Sequence, residues 1–194
     1  MDRIQDRIAA CRICADRFAA TATGHDPRPV VWFDGPPRIL IASQAPGARV
    51  HAAQTPFWDR SGDRLRDWMG VDKDTFYDRS RVAIVPMAFC FPGYDANGSD
   101  LPPPKICAAT WRDDAMAALG EVPLTLLIGA YAQGWHLGGR MGVTDRVRRW
   151  REHAPRAFPL PHPSWRNTGW LNRNPWFDAE VLPALRARIR EVLS

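Results

Sequence analysis

The sequence predicts an α/β protein: a three-layer α/β/α sandwich around a central, mainly parallel four-stranded sheet. Two observations carry this. Short apolar runs alternate along the chain with segments of helical period, as parallel strands require, because each crossover takes a helix. The runs are apolar throughout rather than at every second residue, as in strands buried on both faces. A length of 194 residues suits one such domain, spanning 1–194, and neither an internal repeat nor a second domain is visible.

The elements follow in order. Residues 1–20 read as a short amphipathic helix, with Ile4, Ile8, Cys11 and Ile13 near helical spacing. Residues 21–36 are polar and rich in Pro and Gly, hence a loop. RILIAS, 38–43, is the first buried strand and ends in the Pro-Gly turn QAPG. SGDRLRDWMG, 61–70, starts on Ser and stops on Gly, with Leu65, Trp68 and Met69 as its apolar face, and reads as a helix with Ser61 or Asp63 as N-cap. RVAIVPMAF, 81–89, is the second strand. FPGYDANGSDLPPP after it carries too many turn residues for regular structure. Residues 105–119 are helical, VPLTLLIG (122–129) is the third strand, and a Tyr- and Trp-bearing helical segment follows. Residues 145–153 carry a run of Arg with Trp150. AFPLP, 157–161, is a short fourth strand, and 177–193 forms a terminal helix with Val181, Leu182, Leu185, Ile189 and Val192 on one face.

Composition narrows the function classes. Hydrophobic residues make up 45% of the chain, which excludes a disordered protein. The net charge of +5 comes almost wholly from arginine, since Lys73 and Lys105 are the only lysines. An arginine-rich surface suits phosphate partners, although GC-rich coding also inflates arginine. No apolar run reaches the roughly 18 residues of a membrane span, so no membrane partner is expected. MDRIQDRIAACRIC lacks the apolar core of a signal peptide, and the expected location is the cytoplasm. There, four cysteines are expected as thiols or metal ligands rather than disulfides.

Four groups of residues could carry chemistry. Cys11 and Cys14 form a C-x2-C pair, here read as lying inside the first helix, and Cys90 and Cys107 flank sixteen residues of Pro/Gly-rich loop. Such a set holds zinc or an iron–sulfur cluster, or is four unrelated thiols. Gln44, Ala45, Pro46 and Gly47 make a rigid turn whose N–H groups can hold an anion or a planar polar ring, or simply turn the chain. Phe57, beside Pro56, reads equally as a base-stacking platform or a core aromatic. His162, between Pro161 and Pro163, cannot sit within a helix. It can donate to a developing anion or shuttle a proton, or it can satisfy a backbone carbonyl. Trp165, Arg166 and Asn167 behind it form a tip suited to phosphates or to wedging into a duplex, with Arg173 and NPWF extending that surface.

Taken together and in order, these segments resemble the uracil-DNA glycosylase superfamily, in particular its iron–sulfur branch. The matching pieces are the Cys11–Cys14 pair, SQAPG, TPFWDRSGDRL, the Cys90–Cys107 pair, LTLLIGAYA and His162-Pro163-Ser164. The resemblance implies a uracil-DNA glycosylase-like fold and hydrolysis of the N-glycosidic bond of uracil, or a related deaminated base, in DNA, initiating base excision repair. It implies a structural [4Fe–4S] cluster on Cys11, Cys14, Cys90 and Cys107, favoured over zinc. His162 would bond the uracil O2 as charge grows there. Gln44, with Ala45, Pro46 and Gly47, would contact the ring or place the water. Phe57 would stack on the flipped base, and Ser164, Trp165, Arg166 and Asn167 would hold the strand. DNA is the implied partner, with no obligate protein partner evident.

The sequence also departs from the family pattern. Ala45 stands where the best-known general base, an aspartate, would be, and Pro86 stands where an asparagine normally reads the uracil edge. Gln44 replaces an acidic residue and Ser43 a glycine. His51 and Asp59 are the local candidates for the missing polar roles. These gaps leave open a non-catalytic damaged-base or nucleic-acid binding protein on the same fold, and an iron–sulfur redox or sensing protein.

Overall fold

A computed structural model describes residues 3–194; the first two residues of the helix expected over 1–20 lie outside the described residues. Four apolar stretches form the sheet: β1 (Ile39–Ser43), β2 (Val82–Pro86), β3 (Leu124–Ile128) and β4 (Ala157–Leu160). All pairings are parallel, in the order β2-β1-β3-β4. Only Thr125 and Ala157 among the strand residues are less than fully buried, which is why the strands read as continuous apolar runs.

Alternate strand residues face opposite layers. Ile39, Ile41, Val82, Ile84, Leu124 and Leu126 pack against Leu65, Trp68 and Met69 of α4 (Arg60–Met69) and against Leu185, Ile189 and Val192 of α10 (Leu182–Leu193). Leu40, Ala83 and Val85 face the other way, onto Ile8 of α1 (Ile4–Ala9) and Trp111, Ala115 and Leu119 of α6 (Lys105–Leu119). Leu185 is fully buried, and Leu185→Ala is expected to cost about 2–5 kcal/mol. The strand order reverses between β1 and β3, and in open parallel sheets ligands sit beyond the carboxyl ends of strands at such a point.

Several elements differ from the sequence reading. The N-terminal segment is not one helix: α1 ends at Ala9 and α2 (Ala15–Ala19) starts afresh, with Cys14 as its N-cap residue. The C-x2-C pair therefore lies on the turn between two helices, not inside one. That turn brings both sulfurs to the wall where Cys90 and Cys107 lie. Three short helices, α3 (Ala48–Ala53), α5 (Lys73–Tyr77) and α8 (Val143–Arg148), have too few residues for an apolar period to show. The N-cap of α4 is Asp59, not Ser61 or Asp63: its Oδ1 accepts from the Gly62 N–H at 3.0 Å. β2 ends at Pro86 rather than Phe89; the next N–H groups, of Met87 and Ala88, turn to bond the Ser43 and Gln44 carbonyls. The NPWF segment is surface only in part: Pro175 is exposed and Trp176 half-buried, but Phe177 is fully buried in the core and Asn174 is buried.

Candidate active site at the strand ends

The exits of β1, β2 and β4 open on one cavity of about 770 Å³. From β1 it receives Gln44, Ala45, Pro46 and Gly47, and from β2 it receives Pro86. From the segment leading into α4 come Phe57 and Asp59, and from beyond β4 come His162, Ser164, Trp165, Arg166 and Asn167. The volume lies within the roughly 300–1,000 Å³ of small-molecule sites.

His162 is held from several sides. Gln133, fully buried on α7 (Gly129–Leu137), donates to the Leu127 and Leu160 carbonyls at 3.2 and 2.9 Å, tying the ends of β3 and β4 just before Pro161. Asn167 Nδ2 donates to the His162 carbonyl at 2.8 Å. The Ser164 N–H donates to His162 Nδ1 at 3.2 Å. A ring that accepts at Nδ1 carries its proton on Nε2 when neutral. Burial pushes the imidazole below its ordinary pKa, against the pull of the Asp59 carboxylate, so the neutral Nε2–H donor is the form present at neutral pH.

The tip beyond His162 is a one-turn 3-10 segment, Trp165–Asn167, running into α9 (Thr168–Arg173) and capped by Ser164 Oγ accepting from the Arg166 N–H at 3.2 Å. Arg64 of α4 pins it by donating to the Ser164 carbonyl and Thr168 Oγ1 at 2.9 and 3.2 Å. Trp165 is left 65% exposed, far too much for a core residue.

Phe57 adopts a left-handed backbone with φ 54°, a conformation non-glycine residues hold only when their surroundings impose it. Two contacts do so. A Cβ on Gly62 would fall 1.7 Å from the Phe57 carbonyl oxygen, so only glycine fits there. The Tyr77 hydroxyl lies 3.1 and 3.2 Å from the Pro56 and Phe57 carbonyls. The Phe57 ring meets Phe76 edge-on at 6.1 Å and still lines the cavity, so it is at once core aromatic and pocket wall.

The other candidates for the missing polar roles separate. Asp59 is in the cavity, near enough to His162 to act on it through space. His51 is not on the cavity wall. Its ring packs edge-on against His25 at 5.1 Å and tilted against Phe91 at 5.9 Å, because α3 turns that side chain into an aromatic cluster. Sequence reasoning missed the opposite rim, where Tyr94, Ser99 and Asp100 face the cavity. Asp95-x-Asn97-Gly98 was the available signal: Asp95 Oδ1 accepts from the Asn97 and Ser99 N–H groups at 2.8 and 2.9 Å, folding the loop into a tight Asx turn. Burial pushes the Asp100 carboxyl up, opposed by Arg166.

The four cysteines line a second, much smaller hollow with Phe18, Pro27, Ile106 and Trp111. Trp111 Nε1–H points at Cys11 Sγ at 3.4 Å and the Phe89 N–H at Cys107 Sγ at 3.5 Å. Burial, reinforced by neighbouring cysteines, pushes Cys90 up to about 12 and Cys107 up to about 11. Four thiols in apolar surroundings resist ionising together unless a cation joins them. Among the described residues no three His, Cys, Asp or Glu side chains stand at the spacing of a single metal ion. Zinc needs ligands that converge on one point, whereas a [4Fe–4S] cluster takes four cysteines spread around it. The donor set, with two N–H groups aimed at sulfur, fits such a cluster.

Among the described residues no helix is long and apolar enough to cross a membrane. A model of the Uracil DNA glycosylase superfamily matches residues 32–186.

Proposed function

The chain belongs to the Uracil DNA glycosylase superfamily, and from that premise we propose that it hydrolyses the N-glycosidic bond of uracil, or of a related deaminated base, in DNA. The observation that carries this reading is the single cavity shared by the turn after β1 and the turn after β4. A flipped base would lie between Gln44 and His162, with Phe57 against its face. As the bond breaks, the electron pair stays with the base and positive charge grows on the sugar. The neutral His162 Nε2–H donates to the base oxygen where the negative charge collects. Water adds to the sugar carbon, and Asp59, a carboxylate on the cavity wall, orients it and takes its proton. Trp165 fills the gap left in the stack and Arg166 meets the backbone.

Cys11, Cys14, Cys90 and Cys107 would hold a [4Fe–4S] cluster as a cross-link of the N-terminal turn to the segment after β2 and the first turn of α6, with no part in bond breaking. The missing polar groups at Ala45 and Pro86 favour one other reading, a protein that binds a damaged base without releasing it. Oligonucleotides carrying uracil, hypoxanthine, xanthine or hydroxymethyluracil separate the two. A glycosylase leaves an abasic site from at least one of them, and His162→Ala slows its formation by on the order of 10²–10³. Binding with no abasic product from any of the four supports the alternative.

A further inference from the structure

Pro86 offers the cavity no hydrogen-bonding side chain, yet the end of β2 behind it is not electrically neutral. Arg112 of α6 lies there, 1% exposed. Its Nη1 donates to the Val85 and Pro86 carbonyls, both at 3.0 Å. Its Nη2 donates to His136 Nε2 of α7 at 2.6 Å, and its guanidinium stacks on Trp135, 4.6 Å from the ring centroid. Its Nε has no partner. No carboxylate lies within ion-pairing distance among the described residues; the exposed Asp113 acts on it only through space.

A fully buried guanidinium normally has a carboxylate, because desolvating a lone charge is costly. Here the partner is an imidazole, which burial and Arg112 itself push down to about 3. It is therefore neutral and can only accept at Nε2, and the site keeps a net positive charge. Burial lowers Arg112 itself to about 10, which still leaves it a cation at neutral pH. Stability does not explain such a charge. Its position does, because the two carbonyls it engages end the strand whose last residue walls the cavity.

We propose that Arg112 is a positioning residue for base release, holding the carbonyl dipoles at the end of β2 and setting a permanent positive charge behind Pro86, where the departing base becomes anionic. It touches neither base nor sugar. It replaces, from behind the wall, the donor that a polar side chain at position 86 would have supplied from within. In a poorly solvated interior a charge acts across one residue's thickness far more strongly than it would through water. The inference rests on the reading of the cavity as a base-release site.

The test uses single-turnover release of uracil and of 5-fluorouracil from matched oligonucleotides; the fluorine stabilises the departing anion, which then needs less help from the protein. The key variant is Arg112→Met with His136→Leu, which removes the charge together with the imidazole it bonds, so that only the Val85 and Pro86 carbonyls lose a donor. Arg112→Lys keeps the charge without the fork, and melting curves establish that each variant folds. The expected result is a loss on the order of tenfold on uracil, a distinctly smaller loss on 5-fluorouracil, and a smaller deficit for Arg112→Lys. Equal losses on both bases, or no loss on either, would overturn the inference while leaving the glycosylase reading intact. Failure of the unaltered protein to release either base would instead overturn that reading, and the inference with it.

Discussion

The cavity at the strand ends and the cysteine hollow beside α6 are built in opposite ways. The cavity is wide and lined by polar and apolar groups alike, and its walls come from turns after β1, β2 and β4 and from the start of α4. The hollow is small, apolar apart from its sulfurs, and closed by Phe18, Ile106 and Trp111. Polar groups in the cavity, Gln44, Asp59 and His162 among them, line open space. Those in the hollow are engaged only by N–H groups aimed at sulfur. The difference shows where substitutions are absorbed. All four cysteine positions of the family resemblance are present, whereas the cavity has Ala45 and Pro86 in place of two polar residues. A frame tolerates no missing corner. On the proposed reading, the roles of the two missing polar groups fall to neighbours, Asp59 within the cavity and Arg112 behind its wall.

This contrast breaks if cavity variants damage the frame or hollow variants abolish chemistry. The largest effect is expected from His162→Ala, a loss on the order of 10²–10³ in base release with an unchanged melting curve and cluster absorbance. The same ring sets the acid limb. Because burial lowers its pKa, release is expected to stay level as pH falls to about 6.5 and to decline only below, where protonation disturbs the Nδ1 contact and charges the pocket. A decline centred above 6.5 would count against the neutral donor. Asp59→Asn is next, with a loss of about 10². Asparagine retains the cap to Gly62, so the fold survives, and full activity would remove Asp59 from the mechanism. Cys107→Ala is expected to abolish the absorbance near 400 nm of anaerobically purified protein and to lower Tm by about 5–10 °C, while folded molecules at low temperature still release base. Trp165→Ala is the smallest, raising KM by about tenfold with kcat nearly unchanged.

Much of the frame was legible because burial imposes a pattern on letters. β1 to β4 are apolar without alternation, and α6 and α10 carry faces long enough to show a period. Shorter elements escape that signal. α3 and α5 contain six and five residues, less than two turns, and the Cys11–Cys14 turn was hidden inside what looked like one amphipathic stretch. The site was legible where a residue's own chemistry restricts it. His162, locked between prolines, could only be on a turn, and its place on the cavity wall follows from the ends of β1 and β4 lying on either side of β3. Orientation was not legible. Nothing local distinguishes Asp59, which faces the cavity, from His51, which turns away, because both depend on how α3 and α4 dock. The role of Arg112 was also hidden, since a buried arginine without a carboxylate has no sequence signature.

A double-mutant cycle of Gln44→Ala and His162→Ala, read as single-turnover base release, tests most directly whether the turns after β1 and β4 grip one base. Residues that share a partner couple, whereas distant independent ones add. The double variant is expected to lose clearly less than the product of the two single losses. Strictly multiplicative losses, each group acting as though the other were elsewhere, would contradict a single shared pocket.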